Sequence, residues 1–198
     1  VVFWLLCLVF GPFFCGRLCI AGYFTEALSH IVPDKYKIEW EKYAPVAHIR
    51  YGMLLAYMLL PLWYGFYPCA YCNFYFFDSL VSVIFGAALD FTLPLLLSGA
   101  LYMVLFGLFT KGGRGYCRFL CPQGAMQSFW FYIGARLGIA ARINVDESAC
   151  VKCGLCVKNC PMCAMSIKNG AVQNSTALCI KCGMCSHNCP RGAIHTGR

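Results

Sequence analysis

The stretch Cys150-Val-Lys-Cys153-Gly-Leu-Cys156-Val-Lys-Asn-Cys160-Pro161 returns further along the chain as Cys179-Ile-Lys-Cys182-Gly-Met-Cys185-Ser-His-Asn-Cys189-Pro190. Both copies have the spacing C-x2-C-x2-C-x3-C-P, and the spacing has a mechanical reading. Three thiolates two residues apart wrap around one iron–sulfur cube and bind three of its irons. The fourth, three residues further on and followed by proline, is directed away and ligates the other cube. On this reading Cys150, Cys153, Cys156 and Cys189 take one [4Fe–4S] cluster, and Cys160, Cys179, Cys182 and Cys185 take a second. Zinc is a poorer fit, because a structural zinc site uses paired C-x2-C units closing on one ion. A three-thiolate run with a Cys-Pro end has no place in that scheme.

The residues between the cysteines repeat as well. Gly154 matches Gly183, Pro161 matches Pro190 and Ala164 matches Ala193, which sets a repeat of 29 residues (154 to 183) and predicts pseudo-twofold symmetry. From Asn144 onward the composition turns to Gly, Asn, Lys and short turns. A domain of that size normally needs staples or metals to hold it. The tail 146–198 carries six Lys/Arg and two Asp/Glu. Two oxidised clusters, each with about two negative charges including its thiolates, bring that excess near neutrality.

Outward from the tail the chain changes character. Of its 198 residues 60% are hydrophobic, only 12% are charged, and 16 are cysteine. Mean hydropathy is +0.64. So apolar a composition excludes disorder and argues against an ordinary soluble domain. The cysteine count alone would suit a disulfide scaffold, yet such a scaffold needs no long apolar runs. The formal charge of +8 has no dense Lys/Arg stripe interleaved with aromatics, so no nucleic-acid partner is expected.

Residues 1–16 carry no charge and show neither the basic start nor the small-residue cleavage site of a signal peptide, so the chain reads as starting inside a membrane helix. Residues 49–67 contain one charge, Arg50 at the edge, and 91–109 contain none. Each is long enough to cross about 30 Å of hydrocarbon, and Pro61 and Pro94 are tolerable there. Residues 74–88 carry Asp78 and read as an interfacial or re-entrant segment, with a fourth span as the alternative. Lys35, Lys37, Lys42 and the basic residues after Phe109 contrast with 68–90, which has two aspartates and no Lys or Arg. The positive-inside rule therefore puts the basic segments and the tail on the cytoplasmic side. Residues 125–142, aromatic and bounded by arginines, read as an interfacial helix or equally as a core helix packed on the soluble domain. The expected fold is thus an all-α multi-pass membrane domain over 1–143, with about three spans plus interfacial helices. It is followed at 144–198 by a small α+β bacterial-type 2[4Fe–4S] ferredoxin domain.

Six cysteines lie near the apolar boundaries. Cys15-Gly-Arg-Leu-Cys19 and Cys117-Arg-Phe-Leu-Cys121 are both C-x3-C, and residues i and i+4 of a helix share a face. Four thiolates on one side of a membrane are the number one further cluster or metal site needs; buried reduced cysteine is the plain alternative. Cys69-Ala-Tyr-Cys72 is expected at the opposite face, as a redox pair, a disulfide or inert cysteines. Cys7 and Cys163 read as packing residues, His30 and His48 as loop or interfacial histidines, and Asp78 and Asp90 as solvated.

The run Gly115-Tyr-Cys117-Arg-Phe-Leu-Cys121-Pro-Gln-Gly-Ala125, placed before such a tail, resembles the membrane polyferredoxin-type iron–sulfur proteins. That family includes the membrane subunit associated with periplasmic nitrate reductase, the nitrous-oxide reductase regulator and the cytochrome-oxidase assembly iron–sulfur protein. Its pattern is two C-x3-C-P motifs separated by two spans, then a C-terminal pair of [4Fe–4S] motifs. The resemblance covers roughly residues 11–198. The second motif matches in full; in the first, Cys19 is followed by Ile20 and not by proline, and Cys69 and Cys72 lie outside the pattern. The resemblance implies a subunit of the cytoplasmic membrane that passes single electrons between a quinol pool or cytoplasmic donor and a redox partner. Its partners would be the bilayer, other redox subunits of a membrane complex and quinone, and it would have no catalytic centre of its own. The rival readings are a metal-handling assembly factor that binds or reduces copper, and a structural subunit whose clusters carry no current.

Overall fold

The computed structural model describes every residue except 1, 41–42, 66–72, 87–92 and 198. By internal packing the chain divides into two compact units, one made of Val1–Cys19 with Gln123–Arg198 and the other of Ile20–Pro122. The compositional change at Asn144 therefore falls inside the first unit. Composition marks where the cysteine repeat begins, whereas packing also draws in the chain's beginning and the helix before the tail.

In the first unit, α1 (Val2–Phe10) leads through Gly11 and Pro12 to a short π-helix, Phe14–Leu18. Helix α7 (Pro122–Arg136) buries Gly124, Ala125, Gln127, Ser128, Phe131, Gly134 and Ala135. This three-to-four spacing is the inward stripe of a packed helix. Phe131 forms a small core with Ala135 and Ala140, and Gly134 lies so close to the Leu8 carbonyl that no Cβ would fit between them. The helix has a packed face and is shorter than 125–142. It stops at Arg136, the chain turns at Gly138 with φ +71°, and Arg142 already belongs to a strand.

The tail is built twice from one plan. Strand β1 (Arg142–Val145) recurs as β3 (Ala171–Asn174), β2 (Met165–Lys168) as β4 (Ile194–Gly197), and helix α8 (Leu155–Lys158) as α9 (Met184–His187), all with the 29-residue shift (142 to 171) of the cysteine repeat. The antiparallel pairs are β1 with β4 and β2 with β3, so each pair joins one repeat to the other. The closing bonds obey the same shift: Asp146 N–H donates to the Ala193 carbonyl and Ser175 N–H to the Ala164 carbonyl, each at 2.8 Å. Ile143, Met165, Val172 and Ile194, one from each strand, meet Cys156 and Cys185 in the core.

In the second unit, α2 (Ile20–Ser29), α4 (Asn73–Ile84) and α5 (Leu93–Tyr102, continued as π-helix to Leu108) pack together, and α3 (Val46–Tyr64) packs on α6 (Gly115–Phe119). Glu26 of α2 accepts a 2.7 Å bond from Arg114 Nε, a nearly buried ion pair. Trp40 donates its indole N–H to Thr110 Oγ1 at 3.1 Å, beside an isolated bridge between Ile38 and Thr110. Among the described residues one helix, over Val46–Trp63, is long and apolar enough to cross a membrane; Tyr75–Ile84 and Leu95–Leu108 are apolar but shorter. The expected run 49–67 thus corresponds to α3, which ends when Gly65, at φ +60°, returns its N–H to the Pro61 carbonyl. The expected spans at 1–16 and 91–109 appear as the nine-residue α1 and as α5 with its π extension.

Candidate metal centre

Two cavities, partly open to solvent, lie in the tail. The cysteines lining the first are Cys160, Cys179, Cys182 and Cys185. Those lining the second are Cys150, Cys153, Cys156 and Cys189. Each set is the quartet that the spacing assigns, with the cross-over cysteine contributed by the opposite repeat. The crossing follows from the strand pairing, since β1·β4 and β2·β3 carry the Cys-Pro end of each run to the other run's loop.

Backbone conformation explains how three sulfurs two residues apart face one cavity. Lys152 and Lys181 have φ +55° and +50°, and Gly154 and Gly183 have φ +76° and +83°. Two left-handed residues flanking the middle cysteine turn the chain tightly around the cavity. Glycine takes that conformation freely, while each lysine costs on the order of 1 kcal/mol. Cys163 is at φ +47° where the other repeat has Gly192 at φ +60°. Its place in the turn, after Cys160-Pro-Met, is that of a turn residue, and it lines neither cavity.

The donor set fits an iron–sulfur cluster better than a single ion. Each cavity has four cysteine sulfurs and no histidine or carboxylate. Zinc would need its sulfurs within about 2.3 Å of one centre, whereas a four-iron cluster takes one thiolate per iron around a cage. Burial pushes the Cys179 and Cys185 thiols up to about 11 and raises that of Cys156. Without metal these groups are neutral thiols at pH 7, and loading the site must remove their protons. Ala164 N–H donates to Cys160 Sγ at 3.2 Å and Lys181 N–H to Cys179 Sγ at 3.5 Å, and the Asn174 side chain lines the same cavity and favours the Cys179 thiolate. Sequence reasoning missed Asn174, because an asparagine ending a strand carries no sign of what it faces.

The C-x3-C pairs are placed differently from expectation. Cys15 lies in the π-helix Phe14–Leu18 and Cys19 at its extended exit, immediately before α2. Cys117 lies in α6, and Cys121 follows that helix immediately before α7. Each pair spans a break between helices and does not share one helical face. Cys15 and Cys19 belong to the first unit, Cys117 and Cys121 to the second. Cys15 N–H lies 3.5 Å from Gln127 Oε1, while Gln127 Nε2 and Ser128 Oγ, both fully buried, find no partner among the described residues. A Cβ at Gly22 of α2 would lie 3.3 Å from the Arg114 guanidinium, a tight fit, and 3.8 Å from Cys117 Sγ, an ordinary contact. Cys7 is buried, as a packing residue should be; His30, His48 and Asp78 are exposed. Cys69, Cys72 and Asp90 lie outside the described residues.

Residues 149–194 match the family described as 4Fe-4S dicluster domain. Residues 1–39 and 92–139, which contain both C-x3-C pairs, match the family described as 4Fe-4S binding domain. The chain is 27% identical over 179 residues to an uncharacterized protein of Methanocaldococcus jannaschii, covering 82% of this chain and 63% of that one. A second uncharacterized protein of the same organism is 26% identical, over 79% of this chain and 54% of its own length. The protein named "Putative electron transport protein YccM" of Escherichia coli is 24% identical, over 81% of this chain and 44% of its own. The chain therefore spans about half the length of these relatives. No solved structure matches it. Two parts of the chain thus match 4Fe–4S families, residues 149–194 containing the cysteine runs that line both cavities, and the chain is similar over most of its length to a protein named "Putative electron transport protein YccM".

Proposed function

We propose that the chain is a membrane-bound electron-transfer subunit that relays single electrons through two [4Fe–4S] clusters. One would be held by Cys150, Cys153, Cys156 and Cys189, the other by Cys160, Cys179, Cys182 and Cys185. The observation that carries the reading is the pair of cavities, each lined by four cysteines drawn from both repeats. A [4Fe–4S] group supplies reversible one-electron storage with no bond to substrate. The chain's own part is to provide four thiolates per group, fix them on short paired strands, and set their environment through N–H donors and burial.

Membrane attachment is supported by α3, which is apolar over Val46–Trp63 and largely unburied, with Leu62 and Trp63 each 84% exposed. Such a surface needs an apolar solvent or a partner. The further spans, the cytoplasmic placement of the tail, the quinol or cytoplasmic donor and the partner subunits belong to the same proposal. The C-x3-C cysteines lie in segments matched by a 4Fe–4S binding domain and are the first candidates for iron beyond eight per chain.

Iron and sulfide analysis with electron paramagnetic resonance (EPR) on the anaerobically purified protein tests this. Eight irons per chain and two reducible cluster signals are expected, with about twelve irons if a further cluster is present. Cys160→Ser should damage the cluster of Cys179, Cys182 and Cys185 while sparing the other. Tightly bound copper with little iron, or clusters that cannot be reduced, would sink the proposal.

A further inference from the structure

The two halves of the tail share one plan but not one environment. Val151, in the loop of the first repeat, is 55% exposed; its counterpart Ile180 is 3% exposed. Pro190 and Arg191, which line the first repeat's cavity, are exposed, whereas their counterparts Pro161 and Met162 are buried. Lys152 is exposed, but Lys181 is drawn under the chain's own beginning. Its ammonium donates to the Phe10 carbonyl at 3.2 Å and lies 5.6 Å from the Phe131 ring centre. Gly16 is pressed against the Ile180 carbonyl so tightly that a Cβ there would collide with it. The N-terminal segment and α7 therefore cover the second repeat's loop, and the equivalent loop of the first repeat faces solvent.

The open loop also has a chemical character. Lys152 and Arg191 line its cavity with no carboxylate among the lining residues, and exposed Lys158 on α8 lies nearby. The tail's two carboxylates, Asp146 and Glu147, are outside that lining, and Asp146 is tied to Ser148 at 2.7 Å. Exposed Val151 and Leu155 give the basic rim a small apolar centre. Electron-transfer encounters use small interfaces of this kind, steered by opposite charge on the partner.

Resting on the two-cluster reading, we propose that this loop is the docking face for a soluble, carboxylate-rich one-electron carrier, and that electrons enter or leave the tail here and not at the covered second loop. The exchange moves one electron: the carrier is oxidised by one electron as the chain is reduced by one, or the reverse. No bond forms or breaks, and no proton is required.

The test uses the whole cluster-loaded chain and photoreduced flavodoxin, an acidic flavin carrier, mixed anaerobically at low and high salt. The wild-type rate should fall steeply with salt. The double variant Lys152→Glu/Arg191→Glu should react about tenfold more slowly or worse at low salt, with iron content and both EPR signals unchanged. Lys168→Glu, an exposed charge reversal that lines neither cavity, should stay within about twofold. If the double reversal loads iron poorly, Lys152→Gln/Arg191→Gln replaces it, with a smaller loss expected in the same direction. A loaded protein whose rate ignores both the substitutions and salt overturns the proposal. So does equal relaxation of the two EPR signals by an aqueous gadolinium chelate, which should reach the Cys150 cluster more closely. Wild-type protein without eight irons would instead defeat the two-cluster reading itself.

Discussion

Asn174 and Val145 occupy equivalent positions at the ends of β3 and β1, and there the internal symmetry breaks at the sulfur. The Asn174 side chain lines the cavity with Cys179 and favours its thiolate; valine has nothing to donate. A donor to a ligand sulfur favours the more negative, reduced state and raises the potential. Asn174→Val should therefore lower the midpoint of the cluster at Cys160, Cys179, Cys182 and Cys185 by roughly 60 mV, the one-electron equivalent of a tenfold shift. The Cys150 cluster should be left where it is. EPR-monitored redox titration of both signals checks this, and an unmoved midpoint would show that Asn174 carries no weight in the loaded site. At this scale the two cavity-lining cysteine quartets were legible because their spacing is itself the geometry. Gly154 and Gly183 were legible as a repeated pair. The left-handed Lys152 and Lys181 were not, since lysine does not advertise a positive φ, and neither was Asn174, whose role depends on a neighbour close in space and not in sequence.

Between elements, the closest fit is that of the N-terminal π-helix against the second cysteine loop, and Gly16 makes it possible. A methyl there meets backbone, which cannot swing aside as a side chain can. Gly16→Val should therefore separate the segment from Ile180 and Lys181 at a cost on the order of 1–3 kcal/mol. The Ile180 and Lys181 amides should then exchange faster, and the second cluster should bleach sooner in air, with the first unaffected. Unchanged exchange at Ile180 would mean that the segment does not cover the loop in solution. None of this contact was readable beforehand. The run 1–16 is apolar throughout, so it carries no periodic face that would point to α7 or to the loop. The four strands were also below the reach of pattern reading, because four residues give too few alternations to establish a period of two. For the C-x3-C pairs, spacing suggested one helical face. The chain instead breaks at Cys19 and Cys121, and i,i+4 spacing alone cannot tell a helix interior from a helix end.

At the scale of the molecule, composition separated the two chemistries, an apolar chain and a cysteine-bound tail, but it could not say how the chain's beginning is used. Val1–Cys19 packs with the tail as one unit, which no compositional boundary marks. The proposed clusters would carry part of that unit's stability. Its strands are four residues each, in two separate pairs, and an isolated pair is marginal in water. Its core consists of Ile143, Met165, Val172 and Ile194 with Cys156 and Cys185, the two thiols being ligands of the proposed clusters. Without iron the two cysteine-lined cavities open into that core, and their walls lose the contacts that the clusters would make. Metal-binding free energy in so small a domain is folding free energy. Stripping iron with a chelator under reducing conditions should therefore abolish slow amide exchange in all four strands together, because each strand pair joins both repeats. Protection in α2, α5 and α6 of the other unit should persist. The pairing also couples the two halves: Cys160→Ser, aimed at one cluster, should loosen β2 and β3 most and β1 and β4 slightly, with the Cys150 cluster still loaded. Hydrogen exchange followed by mass spectrometry resolves these segments. Strands that stay protected after complete iron loss would show that the protein core alone holds the tail.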